Sequence, residues 1–366
     1  MLTRWLILCV FVIFIYMTLS FVLYLLIKDF AILGIWFGGG GPWVTTIDFH
    51  PNGRLLAAGY SHGFISIWDL ATTSQILRIK EDGWVEDIDF SPDGRLLASC
   101  TGKDMIHIWD ISSNCLIRKL YYFNCVFNKV AFNPNGKLLA SGGSYYEDDH
   151  KVAIVILWKI SEGTPAFILK PHSIEEVTAL SFSPNGCLLA IGGDTSLRKH
   201  PTNILVWDVE TGKLIKTYQC IYKGTDHWEC FTKDLTFHPD GEKIAIGVSS
   251  EHVYIWNIQT DKIQILRGHK SWVESVTFSP NGNFLATTAE DNTVRLWDID
   301  TGKCINIFKA DNLLFANIVA FSPKGDLLAF GGVDGQIRLL RLSRFLWRKW
   351  KLWKILKFKF KTEKSL

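Results

Sequence analysis

Several signatures that would announce catalysis are missing from this chain. It has no H-E-x-x-H pair and no C-x-x-C pair, so a zinc site of ordinary spacing has no ligands to draw on. It has no G-x-S-x-G turn, the strained elbow that exposes a nucleophilic serine. The run Gly38–Gly41 is not followed by Lys-Ser/Thr and a helix, so it does not read as a phosphate cradle. Asp148, Asp149, His150, His200 and His227 come nearest to a ligand set, but without ligand spacing. The sequence therefore predicts no enzyme, no cofactor and no metal. Net charge is nearly absent as well, at +3 over 366 residues. The eight cysteines (Cys9, Cys100, Cys115, Cys125, Cys187, Cys220, Cys230 and Cys304) lie partly in apolar strand-like runs such as LLASC and GCLLA. They read as buried, reduced thiols of a reducing compartment.

Repetition is what the chain does have. One pentamer recurs seven times: FHPNG, FSPDG, FNPNG, FSPNG, FHPDG, FSPNG and FSPKG, starting at residues 49, 90, 132, 182, 237, 278 and 321. The steps are 41, 42, 50, 55, 41 and 43 residues, so the unit is a structural repeat. In each copy an alternating run ends in Phe, and a Pro-Asn/Asp-Gly turn follows. A small-residue apolar run, an alternating run ending near Trp and a last apolar run complete the unit. That order predicts four short strands per unit and little helix.

These units resemble the WD-repeat family, in which each unit builds one blade of a β-propeller. The residues that carry the likeness are Trp68-Asp69, Trp109-Asp110, Trp207-Asp208, Trp297-Asp298 and Gly268-His269. The likeness covers about residues 30–343. It implies an all-β, seven-bladed propeller but little about function, because the fold hosts many roles. It also implies a stabilising network of His269, Thr287 or Thr288, Asp291 and Trp297 in the sixth unit. The first unit puts His62 in the Asp place, and the third and fifth read Trp158-Lys159 and Trp256-Asn257. The seventh keeps Asp334 but has Leu340-Arg341 where Trp-Asp belongs. Most blades are thus expected to rely on apolar packing.

The seventh unit supplies three strands of its own. AILGIWF (31–37) precedes WVTTIDF as SQILRIK precedes WVEDIDF, so residues 31–37 are expected to close the ring as the fourth strand of blade seven. Both chain ends should then leave from the end of the propeller that carries the Pro-Asn/Asp-Gly turns, the bottom.

Residues 5–27 contain no charge, and a helix of that length spans about 34 Å, enough for a hydrocarbon core of about 30 Å. The run is too long for the apolar part of a signal peptide and lacks a small-residue cleavage site. A buried soluble helix is the other rival. The tail RFLWRKWKLWKILKFKFK (344–361) belongs to a segment of net charge +8, which leaves about −5 for the rest of the chain. Trp347, Arg348, Lys349, Trp350, Trp353 and Lys354 typify its mix of aromatic and basic groups, the signature of an interfacial helix on anionic lipid. Nucleic acid is disfavoured because the acidic body offers no extended basic platform. A partner-covered tail or a calmodulin-like partner also fits. The expected organisation is a membrane anchor (1–28), a propeller (29–343) and a basic amphipathic tail (344–366).

The two long repeat steps mark insertions: SYYEDDHK (144–151) and DTSLRKHPT (194–202), joined by QCIYKGTDHWEC (219–230). All three are expected as loops on the top end, where rigid scaffolds commonly carry function. Tyr145, Tyr146, His227 and Trp228 are candidate aromatic anchors there, with Asp148, Asp149, Arg198 and Lys199 as charged contacts. The reading is a non-catalytic scaffold anchored by a single pass, facing the cytoplasm and binding a protein partner. A soluble cytoplasmic protein is the alternative location. Two other functions stay open: a propeller enzyme or ligand binder with its site at the central channel mouth, and a structural subunit of a membrane complex.

Overall fold

The computed structural model describes residues 32–37, 42–194, 203–219, 231–309 and 316–342. Within them lie seven four-stranded antiparallel sheets, the blades of a seven-bladed β-propeller. The innermost strands are Val44–Phe49, Asp87–Phe90, Cys125–Phe132, Glu176–Phe182, Thr232–Phe237, Val273–Phe278 and Ala316–Phe321. Each contacts the next, and Ala316–Phe321 contacts Val44–Phe49, which completes the circle. In blades one to six the four strands follow in sequence order. In blade seven the outer place beside Ile337–Arg341 is taken by Ile32–Phe37.

The core lies between blades rather than inside them. Ile106, Leu120 and Ile108 of blade two pack with Phe127, Ile154 and Trp158 of blade three, all essentially dry. Contact is close enough to dictate residue size: a Cβ on Gly59 would come within 2.6 Å of Val85 in the next blade. Outermost strands such as Ser74–Lys80 are mostly exposed. Arg78 and Lys80 on that edge discourage pairing with another chain. The repeated turn follows from its glycine: Gly53 sits at φ 70°, where a side chain would be strained, and its N–H donates to the His50 carbonyl at 2.8 Å.

Innermost strands have a free edge facing the channel, and its amides need acceptors. Side chains of the preceding blade supply them. The N–H of Phe90 donates to Asp48 (2.8 Å), that of Phe132 to Asp89, and that of Phe237 to Ser181 (3.1 Å). One level higher, Val130 donates to Asp87 (3.1 Å), Val276 to Asp234 (2.9 Å) and Val319 to Ser275 (3.4 Å). This concentrates half-buried carboxylates along the channel wall. Burial pushes Asp48 up to about 7, with the neighbouring Asp87 charge adding to it. Asp89 is raised well above the carboxylate range by burial and by Asp48. Burial opposes the charge on Lys129, but Asp87 and Asp234 outweigh it and hold its pKa up.

Among the described residues no helix is long and apolar enough to cross a membrane. Residues 5–27 and 344–366, which carry the anchor and tail expectations, lie outside the described residues. The cysteine expectation needs correction: Cys100 and Cys125 are buried, but Cys115 and Cys187 are exposed. Cys187 sits in the repeated turn just before its strand, and Cys115 opens the outermost strand Cys115–Tyr121, most of which faces outward.

Candidate protein-interaction surface

Strand alternation places the second-to-third-strand connections and the blade-to-blade connections on one end, the top. The third-blade insertion is not a loop there. It extends the hairpin of Leu138–Glu147 with His150–Lys159 by four pairs, from Ser144↔Ala153 to Glu147↔His150. Asp148 and Asp149 form its two-residue turn at φ 48° and 63°, whose twist matches that of the flanking strands. The loop expectation failed because SYYE and HKVA are themselves good strand sequence once such a turn joins them.

The pleat separates the two tyrosines. Tyr145 packs against the core between blades two and three, and its hydroxyl donates to Glu147 at 3.1 Å. Lys170 stands 5.1 Å over its ring. Tyr146 points the other way and is 58% exposed. Asp148 and Asp149 are exposed at the tip. Lys151 is committed to Glu176 (2.5 Å), which also accepts from Asn128 (2.6 Å), so the hairpin base is tied to blade four. Arg198, Lys199, His227 and Trp228 lie outside the described residues, as do Trp347, Arg348, Lys349, Trp350, Trp353 and Lys354.

The top end carries larger anchors that the insertions did not reveal. Trp43, Trp84 and Trp272 each precede a dry valine at or just before the start of an innermost strand, and each is exposed; Trp84 reaches 57%. Phe123, in the connection from blade two to blade three, is 77% exposed. Trp43 and Trp84 meet edge to face at 6.2 Å. Lys233 lies 5.1 Å over Trp272 and pairs with Glu274 at 3.3 Å. Glu86, beside Trp84, is half-buried, and burial raises its pKa. The signal was present in sequence: three Trp-Val doublets in register, where the alternation that hides Val exposes Trp.

Beneath this surface blades two, three, five and six satisfy their central tryptophans in different ways. In blade six His269 contacts Asp291 (3.0 Å) and Thr287 (2.7 Å), and Trp297 donates to Thr287 (2.9 Å). Burial lowers the pKa of His269 although Asp291 pulls the other way. Burial works to raise Asp291, but bonds from His269 and Thr293 overcome it and leave it below the usual carboxylate range. Blade two builds an unforeseen counterpart on Glu81. Its carboxylate accepts from Ser99 (2.5 Å), His107 (2.5 Å) and Trp109 (2.9 Å), all below the surface. Trp158 uses Ser141 (2.8 Å) and Trp256 uses Asp261 (3.2 Å). Apolar packing is therefore not the whole support of the blades that lack the His–Asp pair. Among the described residues no group of His, Cys, Asp and Glu could hold a metal ion.

The WD40 family profile (WD domain, G-beta repeat) matches residues 33–69, 73–110, 119–154, 163–199, 260–298 and 302–340. The chain belongs to the WD40 repeat family. Each matched segment ends at or near the third strand of a blade, and blade five, with Trp256-Asn257, falls in the unmatched stretch. Periodic tryptophan protein 2 of Arabidopsis thaliana is 30% identical over 302 residues, 80% of this chain and 31% of that protein. WD repeat and SOCS box-containing protein 1 of Homo sapiens is 39% identical over 75 residues, 20% of this chain and 16% of its own. Small ribosomal subunit protein RACK1y of Oryza sativa is 26% identical over 147 residues, 40% of this chain and 39% of its own. The chain thus spans well under half the length of each of these relatives.

Proposed function

We propose that this WD40 propeller is a non-catalytic scaffold that binds a protein partner through its top end. The observation that carries the reading is the set of exposed aromatic side chains there: Trp43, Trp84, Phe123, Tyr146 and Trp272. Large aromatic groups on a rigid frame give much contact area at little entropy cost, and they are the usual dominant contributors to protein–protein binding. The family membership supports the same coarse role. Arg198, Lys199, His227 and Trp228 complete the surface in this reading.

The scaffold is held to a membrane by residues 5–27, with 1–28 as the anchor, 29–343 as the propeller and 344–366 as a basic tail on the anionic cytoplasmic leaflet. The charge-free run and the basic, Trp-rich tail support this. The test is an affinity pull-down of the full-length protein from detergent-solubilised membranes. It is run beside the triple variant Trp84→Ser, Trp272→Ser, Tyr146→Ser and a deletion of 145–150 with 195–200. A stoichiometric protein that the triple variant loses supports the top surface. A partner retained by both variants sinks it. Alkaline carbonate extraction of the full chain against one lacking 1–28 tests the anchor, which fails if both are released alike.

A further inference from the structure

The bottom end carries one broken rule, and it outlines a ligand. In blade one the residue after the turn glycine and the residue after the blade's Trp form an ion pair, Arg54 with Asp69 at 2.5 Å. Blade two repeats it with Arg95 and Asp110 at 3.0 Å. The carboxylate has a second task, accepting N–H groups of the turn that follows. Asp69 takes those of Ala71 (2.8 Å) and Thr72 (3.4 Å), and Asp110 takes that of Ser113 (3.0 Å). Blades four, five and six keep an acceptor there: Asp208 for Thr211 (2.7 Å), Asn257 for Thr260 (2.8 Å) and Asp298 for Thr301 (2.8 Å).

Blade three has lysine at both places, Lys137 and Lys159. No described side-chain oxygen accepts from the N–H groups of Ser161 and Glu162, the counterparts of Ala71 and Thr72. A cavity of about 680 Å³ opens at this spot, lined by Asn135, Lys137, Leu138, Lys159, Ile160 and Ser161, with no carboxylate among its lining residues. A third cation stands behind the turn, because Arg118 of blade two donates to the carbonyls of Glu162 (2.9 Å) and Ser161 (3.2 Å). The opposing acid is Glu162, which pairs with Lys159 at 3.2 Å while both side chains are about half exposed. Pairs of that kind contribute little and exchange readily.

We propose that this cavity binds a phosphate monoester on a phosphorylated segment of a partner protein. The phosphate takes the place of the carboxylate that blades one, two, four and six supply for themselves. A dianion with three acceptor oxygens suits two ammonium groups and two uncapped N–H groups better than a single carboxylate does. Leu138 and Ile160 give the flanking peptide apolar contact. A lipid surface fits less well, because Asp93, Asp110, Asp208 and Glu210 stand at the same end of the neighbouring blades and would face an extended anionic sheet. The site lies at the opposite end from the aromatic surface and does not depend on it.

The test uses full-length protein in detergent and a labelled peptide pool with a fixed phosphoserine among random neighbours. Fluorescence anisotropy should show the pool bound at least about tenfold tighter than its unphosphorylated form, with inorganic phosphate competing. The variant Lys137→Arg with Lys159→Asp rebuilds the pair of blades one and two. It should unfold no earlier than the parent and lose at least about tenfold in peptide affinity. A second variant, Lys137→Gln with Lys159→Gln, should lose binding without filling the cavity. The proposal is overturned if the rebuilt variant binds as the parent does, or if phosphorylation makes no difference. It is also overturned if the protein takes phosphoinositide-bearing phosphatidylcholine vesicles and ignores the peptides.

Discussion

Blades two and six put the same node, a buried tryptophan N–H beneath the top surface, into opposite chemical hands. Blade six gives the connecting segment a histidine and meets it with a carboxylate, Asp291, on the turn. Blade two gives that segment a carboxylate, Glu81, and meets it with a histidine, His107, on the third strand. His269 and Glu81 each stand four residues before the dry valine, Val273 or Val85, that leads into the innermost strand. What the fold requires there is a buried polar group with partners on the second strand and beside the tryptophan, and it accepts either sign. The difference is in how the load is shared. Blade six spreads its bonds over His269, Thr287 and Asp291, whereas in blade two Ser99, His107 and Trp109 all lean on one carboxylate, with a longer Trp109–Ser99 bond (3.2 Å) beside it.

That contrast can be broken first at its heaviest point. Glu81→Ala leaves Ser99 and His107 without their acceptor and Trp109 with only its longer bond to Ser99, and should cost about 3–5 kcal/mol in urea denaturation. His269→Ala in blade six should cost less, about 1–3 kcal/mol, because Trp297 keeps its bond to Thr287. Equal losses would mean that the two nodes share load alike.

The blades also differ in pH response. At the channel wall blade two has Asp89 where blade six has Thr277. Asp48 is raised in the folded state to about 7, so its contribution is full below about 4 and is lost as pH rises through about 7; Asp89, raised by burial and by Asp48, acts in the same direction. Asp48→Asn should flatten stability between those limits and leave the variant roughly 1–3 kcal/mol more stable than the parent near pH 8. A parent slope that survives the substitution would exclude the pair as its source. His269 is lowered instead, so its contribution fades as pH falls below about 6.5, and His269→Ala should flatten the acid limb alone. The smallest effect belongs to the surface. Arg95→Asn gives blade two the residue that blade six carries at position 283, and it should cost under about 1 kcal/mol because the guanidinium is exposed.

Seven units, their strand order and the His269, Asp291 and Trp297 node were legible, because each is written in short-range pattern: a pentamer, a two-residue period, a known spacing. Glu81 was not, since its partners lie 18 to 28 residues on and the polar run KEDG reads as a solvated turn. Nor was the Asp48–Asp89 coupling, 41 residues apart and created only when two edges face one channel. The third-blade hairpin was misjudged because two aspartates in succession suggest a loop until their backbone is seen in left-handed conformation. Trp43, Trp84 and Trp272 were visible letters whose outward phase became clear once the inner strands were placed.

The side chains that cap the channel edge bear on how such a chain can drift over generations. Asp48, Asp89, Ser181 and Asp234 each accept a backbone N–H of the following copy, although Asp234 also takes the Ser275 hydroxyl (2.9 Å) and Asp48 meets the Asp89 carboxyl. An amide is present whatever residue occupies the position, so one copy can change its letters without a matching change in the next. That leaves seven copies able to diverge as far as Trp-Asp, Trp-Lys, Trp-Asn and Leu-Arg while the seams between them hold. Proline alone would be refused at positions 90, 132, 237 and 276, because it alone brings no hydrogen to the seam.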